Sequence, residues 1–498
     1  MNTIFKNSNI TIPGILLLLI LQVSFLQLII DANTSAYKKI IILGVTFIML
    51  ILSYLDKIDN KIYLLTLISY LLFLIQRSPE IFAEGRFFAE EGAIYWSYSL
   101  VNSKIDTLLY TPVIAGYYLF ASNFQILITT FFPINFSPLI TVWLSLIISL
   151  LPSILFFVLT NNKLDNKKRI IISQILLFLP SLNFLEIFVN SINSQTYLGV
   201  SVFIIYIYGL EGKNKNITVF ENIILIFGSL SSYYSLILFP VFLFRYMENR
   251  NLRTKFPLII WIFSVFIQIN VLYFSYFNNA LYGDKFTNKI DFQYLLLIIK
   301  KSFLVNLFTE YFLRDSFIQN ISLIILLLVL FLIIKNKTTD KYVYFLILLS
   351  FALEVVLIII GQAGQDFIGR YAAVPSTILF FLLLHYLSQI NYGHLFLIFI
   401  FSITLINTSY QNSSYFINCE DYCSSWENQL EEYNNGNSKI IIHWPIGEGD
   451  PYWYTDLETP LPNPAPFQKE AIGTNIDLVY DLTLLDIVKS NFQLRANP

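Results

Sequence analysis

The chain has 498 residues, of which 56% are hydrophobic, 17% aromatic and 13% charged, with a formal net charge of −2. Globular domains carry roughly 25% charged residues, so about half the usual charge is missing, and the near-neutral balance gives no basis for nucleic-acid binding. Repeated apolar runs of about 18 residues or more read as an all-α polytopic membrane protein. The first run, 12–30, has only Lys6 before it and no small-residue cleavage site, so it reads as a retained span rather than a removed signal peptide. Eleven full transmembrane helices are expected, at roughly 11–31, 38–55, 61–77, 138–160, 169–187, 195–210, 256–277, 317–334, 342–360, 371–388 and 393–408. Lys and Arg in short loops set the orientation. The basic loops 56–61, 161–169, 211–216, 245–255 and 335–341 go to the cytoplasm. That puts the N-terminus inside and the C-terminal tail outside.

Three apolar stretches do not read as simple spans. Residues 107–131 contain Pro112, Gly116 and Ser122 and lie between two outer loops, which predicts broken or re-entrant helices. Residues 220–244 have cytoplasmic signals at both ends and a polar centre, Gly-Ser-Leu-Ser-Ser at 228–232, which predicts two half-length helices meeting inside the membrane. Residues 292–313 carry Lys300, Lys301, Asn306 and Glu310, as expected of a helix lying along the outer surface. The transmembrane domain therefore covers 1–408. Residues 409–498 form a small extracytoplasmic α+β tail, with a helix at 424–433 and a strand at 438–446, docked on the outer membrane face. Cys419 and Cys423 lie in this tail; their spacing without nearby His is a poor zinc pattern, and in an oxidising compartment a disulfide is the better assignment.

The polar residues that the positive-inside rule leaves unexplained collect on the outer side. An acidic loop, 85–106, opens with GRFFAEEG and holds Arg86, Glu90 and Glu91. FLEIFVNSINSQTY supplies Glu186, Asn190 and Asn193, and GQAGQDFIGRY supplies Asp366, Arg370 and Tyr371. Ionisable groups at membrane helices are costly and mark function more often than chance residues do. Each also has a structural role open to it. Glu90 and Glu91 point about 100° apart on a helix, so only one need face a cavity. Glu186 with Asn190 suits a helix-end pair, Asn193 a cap, and Arg370 a headgroup anchor with Asp366 as ion-pair partner.

A carboxylate, an arginine and several amides on one face suit sugar transfer from a lipid-linked phosphate. A Glu removes the acceptor proton, Arg binds the leaving phosphate through its planar fork, and aromatics such as Tyr95, Trp96 and Tyr371 pack on sugar or lipid. The order of features resembles the GT-C superfamily of multi-span glycosyltransferases that use polyprenyl-phosphate sugars. FFAEEG is similar to the acidic outer-loop motif of that family, which implies the catalytic-base role for Glu90 or Glu91. GRYAAVPS resembles its Arg-Tyr…Pro segment in bacterial members, which implies a donor-phosphate role for Arg370. FLEIFVNSINSQTYLG resembles a polar helix end in the same branch. The chain departs from the family in having two spans before the acidic loop, where many members have one, and Glu-Glu where Asp-containing pairs are common.

The expectation is thus an inverting glycosyltransferase of the plasma membrane, Glu90 and Glu91 catalytic, with Arg86, Glu186, Asn190, Asn193, Asp366, Arg370 and Tyr371 binding substrate. Its partners are the lipid-linked donor, the bilayer, and a glycan or protein acceptor. No metal is expected, since only one carboxylate cluster is evident; a divalent cation bridging it to phosphate is the one metal role left open. The alternatives are a lipid-linked oligosaccharide flippase and a polysaccharide polymerase or ligase. The first needs a matching polar pathway from the cytoplasmic side. The second usually relies on Arg and His in outer loops, which here are acidic and nearly without His.

Overall fold

Among the described residues the apolar runs fold as helices, and the polar interruptions end them. In the computed structural model the described residues are Tyr63, Leu67, Ile68 and Leu71, most of 79–277, five positions between 374 and 384, and 426–435, 439–442, 453–456 and 482–496. The expected spans 11–31, 38–55, 317–334, 342–360 and 393–408 and the surface helix 292–313 lie outside them, as do Glu186, Asp366, Arg370, Tyr371, Cys419 and Cys423.

Helix α1 (Pro79–Ala83) leads through a non-helical stretch into a π-helical turn (Glu91–Trp96) and two short helices, α2 (Ser97–Val101) and α3 (Lys104–Leu109). Then come α4 (Phe120–Thr129), a 3₁₀ turn (Ile134–Phe136), α5 (Ser137–Leu159), α6 (Asn166–Leu182), α7 (Ser194–Tyr208), α8 (Lys215–Ser229), α9 (Tyr234–Glu248) and α10 (Leu252–Phe277). The tail contributes α11 (Trp426–Asn434), strands β1 (Lys439–Ile442) and β2 (Trp453–Asp456) paired antiparallel, and α12 (Leu484–Ala496). Two stretches, Ile134–Leu159 and Thr254–Phe277, are long and apolar enough to cross a membrane.

Small hydroxyl residues set the packing of α5. Ser137, Thr141, Ser145, Ser149 and Ser153 recur at every fourth position and are all buried. That stripe faces neighbouring helices, chiefly α7, α6 and α4, because small side chains let backbones approach closely. Helix α10 repeats the pattern: Ser264, Gln268 and Ser275 are buried while Phe256, Ile259, Ile262, Phe263, Phe266 and Ile269 are exposed.

Both stretches are broken into shorter helices. Residues 107–131 divide into α3, a loop and α4, and the loop is tied down by Gln268, whose Oε1 accepts from the Tyr118 N–H and whose Nε2 donates to the Tyr118 carbonyl, each at 3.0 Å. Residues 220–244 divide at 230–233 between α8 and α9. Hydroxyls at the break bind outward: Ser229 Oγ to Ser264 Oγ at 2.7 Å, and Ser231 Oγ accepts from the Ala121 N–H at 2.8 Å. These partners satisfy backbone and hydroxyl groups freed where a helix stops.

Tail helix and strand fall close to their expected positions, and both ends of the tail lie against the rest of the chain. Trp426 of α11 sits edge-on to Phe87 and Trp96, at 5.5 and 5.4 Å between ring centres. At the other end Tyr110 and Thr483 form an antiparallel bridge. Leu484 and Ile487 of α12 pack with Tyr118, Ile267 and Val271, and Asn491 Nδ2 donates to the Asn270 carbonyl at 2.8 Å.

The basic loops differ from expectation. They read as solvated, yet Arg169 and Arg245 are only 3% and 8% exposed. Arg245 Nη2 donates to the Gly209 carbonyl at 2.9 Å, and Lys163 Nζ to the Tyr208 carbonyl at 3.4 Å, so both cap the C-terminus of α7. Arg169 lies 3.9 Å over the Phe157 ring and donates to Asn161 and Asn166. Carbonyls at a helix C-terminus attract cations, and long basic stems bury easily.

Candidate functional site

The acidic loop begins at a glycine because no other residue fits there. Gly85 has φ +77°, and a Cβ on it would stand 2.3 Å from the backbone nitrogen of Leu139. The loop is therefore pressed onto the first turn of α5. Phe87 and Phe88 follow, both buried, and a reciprocal pair closes the next turn. The Glu91 N–H donates to the Phe88 carbonyl at 2.6 Å, and the Phe88 N–H donates to Glu91 Oε2 at 2.9 Å. The rest of the segment winds as a single π-helical turn, a form concentrated at functional sites, with every residue from Glu91 to Trp96 buried.

Glu91 is 0% exposed, and its second oxygen crosses to another part of the chain. Oε1 accepts the Ser191 N–H at 3.0 Å, a contact spanning 100 residues. The hydroxyls of Ser191 and Thr141 lie near the carboxylate, but Thr141 Oγ1 donates to the Pro138 carbonyl at 2.9 Å and Ser191 Oγ meets Ser122. Burial pushes the Glu91 carboxyl above its ordinary pKa, while the polar groups of Ser191, Phe88 and Thr141 around it pull it back. Helices α4, α5 and α7 contain no Asp, Glu, Lys or Arg, so they meet this charge only with hydroxyls, amides and N–H groups. Glu90 is half-exposed instead, and its side chain makes no cap bond to the π turn.

Beneath Glu91 the turn before α7 is a buried polar cluster. Asn190 Oδ1 accepts the Asn193 N–H at 2.8 Å, and Ser194 Oγ donates to the Asn190 carbonyl at 3.0 Å. Ser191 Oγ meets Ser122 Oγ at 3.0 Å. Gln125 joins the layers, donating to Ser194 Oγ at 3.1 Å and accepting from Ser145 Oγ at 2.8 Å. Just ahead of the cluster, Val189 has φ +38°. A β-branched residue with positive φ is a backbone outlier.

The structure thus brings together Glu91, Asn190 and Asn193, with Arg86 and Glu90 in the same loop as Glu91. Asn190 and Asn193 are 3% and 1% exposed; Asn193 sits at the N-cap position of α7 but makes no side-chain capping bond, and Asn190, whose expected partner Glu186 lies outside the described residues, accepts the Asn193 N–H instead. Tyr95 and Trp96 do not take the sugar-facing position expected. They are 4% and 1% exposed, with Tyr95 edge-on to Tyr110, Tyr98 stacked on Tyr110 at 3.8 Å, and Trp96 against Phe87 and Trp426. Burial raises the Tyr95 phenol well above its ordinary pKa. Sequence reasoning passed over Thr141, Gln125, Ser145 and Ser191 and took Ser122 only as a helix breaker; the four-residue Ser/Thr period in α5 was the available signal for Thr141 and Ser145. Among the described residues no group of three or more His, Cys, Asp or Glu is placed to hold a metal ion.

Comparison of the chain with models of known families, with curated proteins and with solved structures finds no match. Function has to be argued from the site. Chemically, the two neighbouring carboxylates are unequal. Both Glu91 oxygens are engaged inside the protein, whereas Glu90 is partly exposed.

Proposed function

We propose that the chain is a polytopic membrane glycosyltransferase that moves a sugar from a polyprenyl-phosphate-linked donor to an acceptor hydroxyl on the extracytoplasmic face, with Glu90 as general base. The observation that carries the assignment of the base is the division of the glutamate pair: Glu91 is sealed and saturated, and Glu90 stands beside it half-exposed. In the reaction, the Glu90 carboxylate takes the acceptor O–H proton as that oxygen attacks the anomeric carbon. The bond from that carbon to the phosphate oxygen breaks, the phosphate leaves with the electron pair, and the configuration inverts. Arg370 is proposed to bind the leaving phosphate and stabilise its charge.

The membrane part of the reading is supported at α10 by its apolar exposed face. That face is Phe and Ile, while the buried face mixes Trp261, Ile267 and Val271 with Ser264, Gln268 and Ser275. Water favours the opposite arrangement; hydrocarbon favours this one. One feature favours transport as a second reading, namely the buried hydroxyl stripe of α5, which runs from Thr141 beside Glu91 to Ser153, bonded to Tyr63 Oη at 2.8 Å. The stripe is packed against neighbouring helices, and so the enzyme reading is preferred.

The test is sugar incorporation from a panel of radiolabelled polyprenyl-phosphate sugars in membranes carrying wild type or Glu90→Gln. Transfer by wild type and its loss in Glu90→Gln, with donor binding kept, is the expected result. A Glu90→Gln protein that transfers at the wild-type rate overturns the assignment. Failure of wild type to use any donor, together with loss of function on Ser149→Val, would favour transport.

A further inference from the structure

We propose that Glu91 is a positioning residue: its carboxylate holds the turn before α7 in a strained backbone conformation and thereby fixes where Glu90 stands. Four observations carry this. Glu91 is wholly buried and binds Phe88 N–H through one oxygen and Ser191 N–H through the other. The Glu91 N–H is bound in turn to the Phe88 carbonyl, so 88–91 is a closed ring of bonds with Glu90 on it. Val189, two residues before Ser191, is held at φ +38°. The loop is fixed at its other end where Gly85 meets Leu139.

Strained backbone persists only where its surroundings over-determine it. At this corner the bond from Ser191 N–H to a buried carboxylate is the restraint. Glutamine cannot accept from both Ser191 and Phe88, because one of its two terminal atoms is an NH₂ with no lone pair to offer a backbone N–H. Glycine, by contrast, takes positive φ at no steric cost. The inference therefore makes a prediction that no proton-transfer role for Glu91 would make: Val189→Gly should repair the damage done by Glu91→Gln.

The experiment reads local opening directly. Ile192, 6% exposed, is replaced by cysteine in full-length protein whose Cys419 and Cys423 are serine, and maleimide labelling is timed in native membranes. Glu91→Gln should raise the labelling rate about tenfold, as expected for loss of a buried charged hydrogen bond. Adding Val189→Gly should return it to within about twofold of the parent. If Glu91→Gln does not accumulate, Glu91→Asp, one methylene short, makes the same comparison. The link to Glu90 rests on the glycosyl-transfer reading and is checked in the same membranes. There Glu91→Gln should lower kcat with KM for the donor unchanged, and Val189→Gly should restore it.

Unchanged labelling in Glu91→Gln, or raised labelling that Val189→Gly leaves raised, overturns the proposal. Lost transfer with unchanged labelling would make Glu91 itself the proton acceptor. If wild type transfers no sugar at all, the enzymatic reading fails while the labelling arm still judges the Glu91–Val189 coupling.

Discussion

The two ends of α7 are finished by opposite charges brought from elsewhere in the chain. At its N-terminal end the Glu91 carboxylate accepts the Ser191 N–H at 3.0 Å; at its C-terminal end Arg245 donates to the Gly209 carbonyl at 2.9 Å. Each sign suits the helix dipole it faces. At the basic end the cations lie on carbonyls and aromatic faces, Arg245 over Tyr206 and Lys163 over Tyr208, and the buried Glu221 carboxylate stands against Gly209. The acidic end has a second carboxylate half-exposed beside the buried one, a positive-φ valine and a π-helical turn. Strain and surplus polar groups on rigid support are what active sites accumulate. The acidic end is accordingly where the chemistry is proposed to lie.

That contrast can be broken most severely at Gly85. Gly85→Ala should cost roughly 3 kcal/mol or more, since a Cβ would overlap the Leu139 backbone and positive φ adds its own strain. The check is the fraction of folded protein surviving detergent extraction and heating; a wild-type melting profile would contradict the close approach. At the opposite end Arg245→Met should cost about 1.5–3 kcal/mol, the worth of a hydrogen bond to a charged group. It should leave kcat of the folded fraction unchanged, measured as transfer per mole of protein surviving a mild heat step. A specific loss of kcat there would put chemistry at the basic end too.

The next prediction concerns pH. Because burial raises the Glu91 pKa in the folded protein, the folded state binds its proton more readily than the unfolded chain does. This group's contribution to stability is therefore complete below the unfolded value and is lost as pH rises through the folded one. The melting temperature of the folded protein should rise on mild acidification, and Glu91→Gln should flatten that dependence. Asp486 provides a control of opposite sign. It accepts from Thr483 N–H at 3.0 Å and Oγ1 at 2.5 Å, chiefly the latter depressing its pKa. Its stabilisation is present above the unfolded value and lost as pH falls through the folded one. The smallest effect is expected here: Asp486→Asn should cost about 1 kcal/mol, the worth of a helix cap. Faster exchange of the α12 amides, without change at 192, would show it.

Much of this architecture can be read from the chain. Apolar length places α5, α6, α7 and α10, and the polar centre at 228–232 places the break between α8 and α9, because hydrophobic runs and their interruptions are local features. The Glu91–Ser191 contact is not local. It joins residues 100 apart, and no spacing rule connects them. For the same reason the sequence leaves Glu90 and Glu91 equivalent: helical geometry separates them by about 100°, but Glu91 is the one held inward, by the Ser191 and Phe88 N–H groups. Arg169 and Arg245 show a further limit. Loop charge reports which side a helix end faces, not whether the charge is solvated, and both arginines are buried against carbonyl and amide oxygens. Tyr95 and Trp96 look like ligand-facing aromatics until Trp426, some 330 residues later in the chain, closes over Phe87 and Trp96.

The most direct test of the account compares Glu90→Gln with Glu91→Gln in one assay, following both sugar transfer and labelling at position 192. The account predicts that Glu90→Gln loses transfer by at least about 100-fold, the usual worth of a general base, with labelling unchanged. Glu91→Gln should open the site and regain transfer when Val189 is made glycine. Loss of transfer in Glu91→Gln with a closed, slowly labelled site, and full activity in Glu90→Gln, would contradict it.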